Sequence, residues 1–231
     1  ETALRGGSGI FKIAGKISRE QWRIYVDSLH IQQDLPGIQG IGFSVMLSPE
    51  KIDNHIREVR AGGFPEYAIR PHGKRDPTSS IIYLEPFDWR NQRAFGYDMY
   101  SEPVRRAAMT QAMETAQPAM SGRVNLVQET DEAQQHGFLV YAPVYRSNMP
   151  INTVAERGAA IHGFVYSPFR LGDLMAGIAG SQRQGIHFEL YDGDTESDAT
   201  FLYQSISPAL HRVEDEEPHL YNRKLPINVV G

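Results

Sequence analysis

The chain has 231 residues, 41% hydrophobic and 22% charged, with a formal net charge of −5 and no cysteine. It is long enough to bury a core without disulfides or metals, and disulfides and thiolate metal sites are excluded outright. A net-negative chain is a poor match for nucleic acid, which needs surplus Lys and Arg on one face. No window approaches the roughly 18 consecutive apolar residues of a membrane helix. The chain opens on ETALRGG and closes on LPINVVG inside a strand-like run, so it reads as a piece of something longer.

In chain order, GGSG (6–9) reads as a flexible break, because Ser8 lacks the second glycine of a nucleophile elbow. Ser18 and Gln21 have capping-box spacing ahead of EQWRIYVDSL, whose Trp22, Tyr25, Val26 and Leu29 share one face. IGFSVML predicts a buried strand. Ser48-Pro49 opens a second helix with a stripe of Ile52, Ile56 and Val59, closed by Gly62-Gly63. Short strands follow at YAIRP, SIIYLEP and AFGYD, and a third helix over Pro103–Ala116. Next come GRVNLVQ and GFLVYAPVY, a loop over RSNMPINTVAERGA, strand AIHGFVYSPF, helix LGDLMAGIAG, strands IHFELYDG and ATFLYQ, an acidic loop, and strand KLPINVV. Short strands with interspersed helices predict an α+β fold with antiparallel sheets, one near residues 38–148 and one near 149–231.

The stretch FGYDMYSEPVRRAA (95–108) carries the densest polar chemistry. Ser101 is placed as a helix N-cap, with Glu102 complementing the helix dipole and Pro103 at the first helical position. Arg105 and Arg106 then fall on a solvent-exposed flank. Asp98 follows the apolar AFGY at the end of a strand and is not explained by the cap at Ser101–Pro103, although a second cap or a turn would also take an aspartate. Paired carboxylates for hydrolysis would come from Glu85, Asp88, Asp98, Glu102, Glu129 and Asp131, and no spacing selects a pair. His55 and Glu58 lack the second histidine of a zinc-protease helix. DGDTESD (192–198) lacks the turn glycine and terminal glutamate of a calcium loop and reads as a hairpin loop. Tyr83, Phe87, Trp89, Phe95 and Tyr97 gather around Glu85 and Asp98, as either a pocket or a core would require.

The run PGIQGIGF, YAIRPHGKR, IIYLEPFDWRNQRAFGYDMYSEPVRRAAM, SGRVNLVQE and GFLVYAPVY closely resembles the CHASE domain, the extracytoplasmic sensor of receptor histidine kinases and cyclic-di-GMP enzymes, first noted in plant cytokinin receptors. The resemblance spans about residues 18–231. It implies a helical stalk (1–36), a membrane-distal PAS-like subdomain that carries the ligand (37–148) and a membrane-proximal one (149–231). It also implies a periplasmic, non-catalytic fragment with flanking transmembrane helices, a small-molecule ligand such as an adenine-type cytokinin or another planar compound, and no cofactor. A homodimer through the stalk is expected from its apolar stripe. In the plant receptors an aspartate in a D-M-x-S stretch binds the adenine ring, which is similar to Asp98-Met99-Tyr100-Ser101 here. Ser121 is the counterpart of a pocket hydroxyl, and Tyr83 and Tyr97 are candidate walls. SEPVRRAA and NLVQE depart from the plant pattern. The competing readings are a periplasmic hydrolase built on two of the acids and a ligand-free interaction module.

Overall fold

A strand buried on both faces belongs inside a sheet, and β1 (Ile41–Leu47) is buried at every position. The computed structural model describes residues 1–31, 37–73, 75–129, 135–179, 188–205 and 223–227. In it β1 lies between β2 (Thr78–Glu85) and β6 (Ile161–Arg170). Beyond β6 comes β5 (His136–Tyr145), whose outer edge pairs with two short strands, β3 (Ala119–Met120) and β4 (Val124–Asn125). The result is a six-stranded sheet in the order β2-β1-β6-β5-β3, with β4 also on β5 and every pairing antiparallel.

The expected α+β class is what the chain adopts, but one strand changes place. AIHGFVYSPF, assigned above to the second sheet, is β6 and sits at the middle of the first. Two features put it there. Phe164 and Tyr166 point to one face and Val165 to the other, all three buried, as a central strand requires. The stretch read as a loop also holds a helix, α6 (Val154–Ala160). Its Thr153–Glu156 capping box starts the turn that returns the chain antiparallel to β5. The second sheet is the hairpin β7 (Glu189–Tyr191) and β8 (Phe201–Gln204), joined by DGDTESD as expected. YAIRP and AFGYD meet only at an isolated bridge between Arg70 and Tyr97. The acidic stretch within 206–222, Asp131 and the last residues of KLPINVV lie outside the described residues.

Each face of the sheet has its own cover. On one, α1 (Thr2–Ala14) and α2 (Arg19–Ser28) lie over Phe43, Val45 and Val165. The Ser18–Gln21 capping box forms as predicted, and the buried Trp22 donates its indole N–H to the Ile41 carbonyl at 3.2 Å. The expected stalk is thus two helices broken at Gly15, which has φ 70°, and its apolar stripe is spent on its own sheet. GGSG is helical rather than a break. A Cβ on Gly7 would stand 3.1 Å from Val165 and 3.2 Å from Trp22, so glycine here is what lets α1 approach α2 and β6.

The opposite face is covered by α5 (Pro103–Thr115), whose Ala108, Met109 and Ala112 pack on Leu139, Phe164, Tyr141 and Tyr166. Its bounds match the predicted helix, but its cap does not. Glu102, not Ser101, accepts the N–H groups of Val104 and Arg105, while Ser101 Oγ turns back to the Asp98 carbonyl at 2.6 Å. The edge helices α3 (Ile52–Ala61), α4 (Trp89–Gln92) and α7 (Leu171–Ala179) complete the set. Among the described residues no helix is long and apolar enough to cross a membrane.

Docking of α2 on the sheet makes a direct prediction. Trp22→Ala is expected to cost about 3–5 kcal/mol in urea unfolding, whereas Ile24→Ala, at a residue 57% exposed, is expected to stay within about 0.5 kcal/mol. Similar small effects from both would mean that α2 is not packed on β1.

Candidate functional site around Asp98

The backbone reaches Asp98 through a turn that only glycine tolerates. Gly96 has φ 81°, and a Cβ there would stand 2.2 Å from the Ala68 carbonyl. The turn brings Asp98 N–H to the Arg70 carbonyl at 2.6 Å and aims its side chain at β2. Asp98 has no exposed surface, so its charge must be met by protein donors. Its two oxygens are used differently. Oδ1 accepts the Ser79 N–H and hydroxyl, each at 2.8 Å, and the Tyr100 N–H at 3.1 Å. Oδ2 accepts the Arg75 Nε–H at 2.7 Å. The Arg75 side chain is 27% exposed, and it also donates to the Pro71 carbonyl.

The other expected site residues do not all gather here. Tyr97, adjacent in sequence, places its ring 5.5 Å from the Arg105 guanidinium. Ser121 belongs to the opposite edge of the sheet, where its hydroxyl accepts the Leu139 N–H at 3.0 Å and donates to the Gly122 carbonyl at 2.9 Å. Tyr83 lies on the other face. It stacks with Trp22 and donates to the Ile17 carbonyl at 2.6 Å, so it holds α2 rather than walling a pocket beside Asp98.

Four residues that the sequence reading passed over complete the polar interior on the α5 side. Arg105, expected on an exposed flank, is 4% exposed. It donates to Glu102 at 3.2 Å and to the Asn125 carbonyl at 2.7 Å. Tyr141 and Tyr166 face each other across β5 and β6 with ring centroids 6.3 Å apart. Gly42 permits this, since a Cβ there would stand 2.6 Å from the Tyr166 ring. Among the described residues Tyr141 Oη reaches only Met99 Sδ, at 3.6 Å, while Tyr166 Oη and Ser44 Oγ are buried without a partner. Burial pushes both phenols well above the usual tyrosine value, with Arg105 pulling the other way. They are therefore neutral hydroxyls with hydrogen-bonding capacity to spare. Strand alternation could have shown that Tyr141 and Tyr166 point inward, but not that their hydroxyls lack partners.

Among the described residues the remaining candidate acids are occupied. Asp88 caps α4 through the Asn91 N–H, Glu102 caps α5, and Glu129 pairs with Arg170 at 2.8 Å. Glu85 accepts the Phe87 N–H, with its carboxyl raised by burial. His55 bonds to Tyr67 Oη at 2.8 Å, and Glu58 accepts from Asn54. Among the described residues no three His, Asp or Glu side chains converge to hold a metal. A cavity of about 260 Å³, near the lower limit for small-ligand sites, opens between α3 and residues 68–73. It is lined by Ile52, Ile56, Arg60, Ile69, His72 and Thr78, among others. Its wall includes the segment that delivers Arg75 to Asp98.

In comparisons with known proteins, the CHASE domain family matches residues 15–203. No curated protein matches the chain.

Two outcomes test this geometry. Tyr166→Phe removes a buried hydroxyl that has no partner, so the melting temperature is expected to hold or rise; a fall would reveal an unseen partner. Burial holds His55 and His162 below the usual histidine value. The unfolded chain therefore takes up protons first as pH falls. Stability from these two groups is complete above about pH 6.5 and is lost below it. His55→Gln is expected to flatten part of that decline in melting scans from pH 7 to 5, and an unchanged slope would contradict the assignment.

Proposed function

The chain belongs to the CHASE domain family, sensor modules of signalling receptors that lie outside the cell and are not catalytic, and from that premise we propose that it binds a planar small molecule at Asp98. The ligand is an adenine-type cytokinin or another flat heterocycle with N–H donors. In this reading the domain is the periplasmic part of an inner-membrane receptor and signals to a histidine kinase or cyclic-di-GMP output domain. The ligand unit is membrane-distal, and the β7–β8 end of the chain belongs to a membrane-proximal PAS-like unit. Two copies associate through the outer side of the α1–α2 region, where Ile13 and Ile24 are exposed, since its apolar stripe packs on the sheet.

The observation that carries the proposal is the division of labour at Asp98. Oδ1 is committed to three donors that organise β2 and the start of α5. Oδ2 is held by one arginine within reach of solvent, so it is the exchangeable oxygen. A ligand N–H that replaces Arg75 Nε–H makes a charge-assisted bond to a carboxylate that is itself buried, which is strong enough to set specificity. Tyr166, Tyr141 and Ser44 offer uncommitted hydroxyls on the same face. A second reading, a ligand-free interaction module, draws support from the same carboxylate, because the chain already supplies donors to both of its oxygens.

A thermal-shift series separates the two. A ligand at a hundred times its Kd adds about 2.7 kcal/mol, a rise of roughly 5–10 °C for a chain of this size. Arg75→Met is expected to lower the starting melting temperature yet enlarge the shift, and Asp98→Asn to abolish it. A shift that survives Asp98→Asn would place the ligand elsewhere. No shift from any planar heterocycle would favour the interaction module.

A further inference from the structure

Arg19 is the first residue of α2, at the positive end of the helix dipole, where a cation is unwelcome. It is held there by an aromatic box. Its guanidinium carbon lies 4.5 Å from the ring centre of Phe64, 4.8 Å from Phe87, 5.1 Å from Phe95 and 5.5 Å from Tyr83. The rings brace one another, with Phe64–Phe95 centroids 4.9 Å apart and Phe87–Phe95 5.5 Å. One guanidinium nitrogen donates to the Ile82 carbonyl at 2.7 Å, while Nη1 is buried without a partner. Cation–π attraction strengthens as water is excluded, and the unpaired N–H group opposes it. The seat is held by opposing terms rather than by a saturated set of bonds.

The box and Asp98 share one short piece of backbone. Phe95 forms a wall, and its carbonyl accepts from Arg70 Nη2 at 2.9 Å. Gly96 exchanges backbone bonds with Arg70 and Ile81, Tyr97 accepts from the Ile81 N–H, and Asp98 N–H returns to the Arg70 carbonyl. Residues 95–98 are therefore pinned as a unit between 70 and 81. A change in what Asp98 Oδ2 grips therefore alters how firmly this unit is held, and with it the hold on the Phe95 ring, even where Asp98 keeps its place.

We propose that Arg19 in its aromatic box is the latch by which the Asp98 locus holds the α1–α2 hairpin, with residues 95–98 as the common lever. The proposal rests on the sensor reading for its purpose: a ligand that changes what Asp98 grips changes the grip on the helix that leads away from the site. Coupling between sites is reciprocal at equilibrium, and nearness along a chain does not by itself demonstrate it. Both directions are therefore open to measurement without any ligand.

The experiment is native-state hydrogen exchange on the 231-residue chain, with amides of the β5–β6 pairing as internal reference. Arg19→Met is expected to speed exchange in α2 and also at the Ser79 and Tyr100 amides that bond Asp98, by about fivefold or more relative to the reference. Arg75→Met is expected to speed the Asp98-bonded amides and, reciprocally, α2. Effects confined to each variant's own side would overturn the latch. If Arg19→Met loosens the whole sheet, the milder Arg19→Lys decides by the same comparison, and a rise there that is uniform across β5–β6 overturns it as well. Because no ligand takes part, failure here leaves the sensor reading to the thermal-shift series.

Discussion

A carboxylate with no exposed surface must draw its donors from its own chain, and the donors that Asp98 recruits tie one end of this domain together. Ser79 belongs to the edge strand β2, Tyr100 to the turn that starts α5, and Arg75 to the segment beside the cavity. One side chain thereby fixes the sheet edge, the helix over the sheet and a surface segment relative to one another. Removing a partner from a buried ion pair commonly costs several kcal/mol, because the other charge is stranded. The Asp98–Arg75 pair is softer than that, since Arg75 keeps contact with water. It joins a rigid element to a replaceable one.

The sheet separates two packing environments by face. Phe43, Val45, Val165 and their neighbours receive Trp22 and the rest of the α1–α2 hairpin, and Tyr83 on that face bonds the chain just before α2. The α5 face receives Met109, Met99 and the tyrosine pair, with unpaired hydroxyls in an otherwise apolar core. Buried hydroxyls without partners are expensive in a core that serves only stability, and here they lie on the face to which Asp98 is attached. Residues 95–98 cross between the two environments, with Phe95 in the box around Arg19 and Asp98 in the polar hub. This short stretch of backbone therefore touches both environments, which is why the latch is proposed there.

Local signals in the sequence were accurate where local chemistry decides the outcome. The Ser18–Gln21 box, the third helix, the buried strand IGFSVML and the β7–β8 hairpin follow from capping, periodicity and turn composition. What failed depended on distant partners. GGSG is helical because Trp22, Tyr25 and Val165 need its glycines for close approach, a fact that composition cannot carry. AIHGFVYSPF takes the central position because the Thr153–Glu156 capping box, itself visible in the sequence, starts a helix that turns the chain back along β5. Ser101 ceded its cap because the Asp98 carbonyl captured its hydroxyl. At the candidate site, Asp98 was legible as an acid at a strand end; the structure makes it the cap of the short turn Met99–Ser101, the competing reading, as well as the partner of Ser79 and Arg75. Arg75, Arg105 and Tyr166 were not legible, because their roles arise from segments far apart in the chain.

The central claim is that Asp98 Oδ2 exchanges Arg75 for a ligand while Oδ1 keeps its structural donors. The measurement that tests it most directly is the NMR signal of Arg75 Nε–H, followed beside the Ser79 and Tyr100 amides as planar heterocycles are titrated in. The account predicts that a compound that binds moves the Arg75 signal away from its carboxylate-bonded position and leaves the two amides nearly in place. An Arg75 signal unmoved by every compound that binds, or loss of the Ser79 and Tyr100 bonds along with it, would contradict the account.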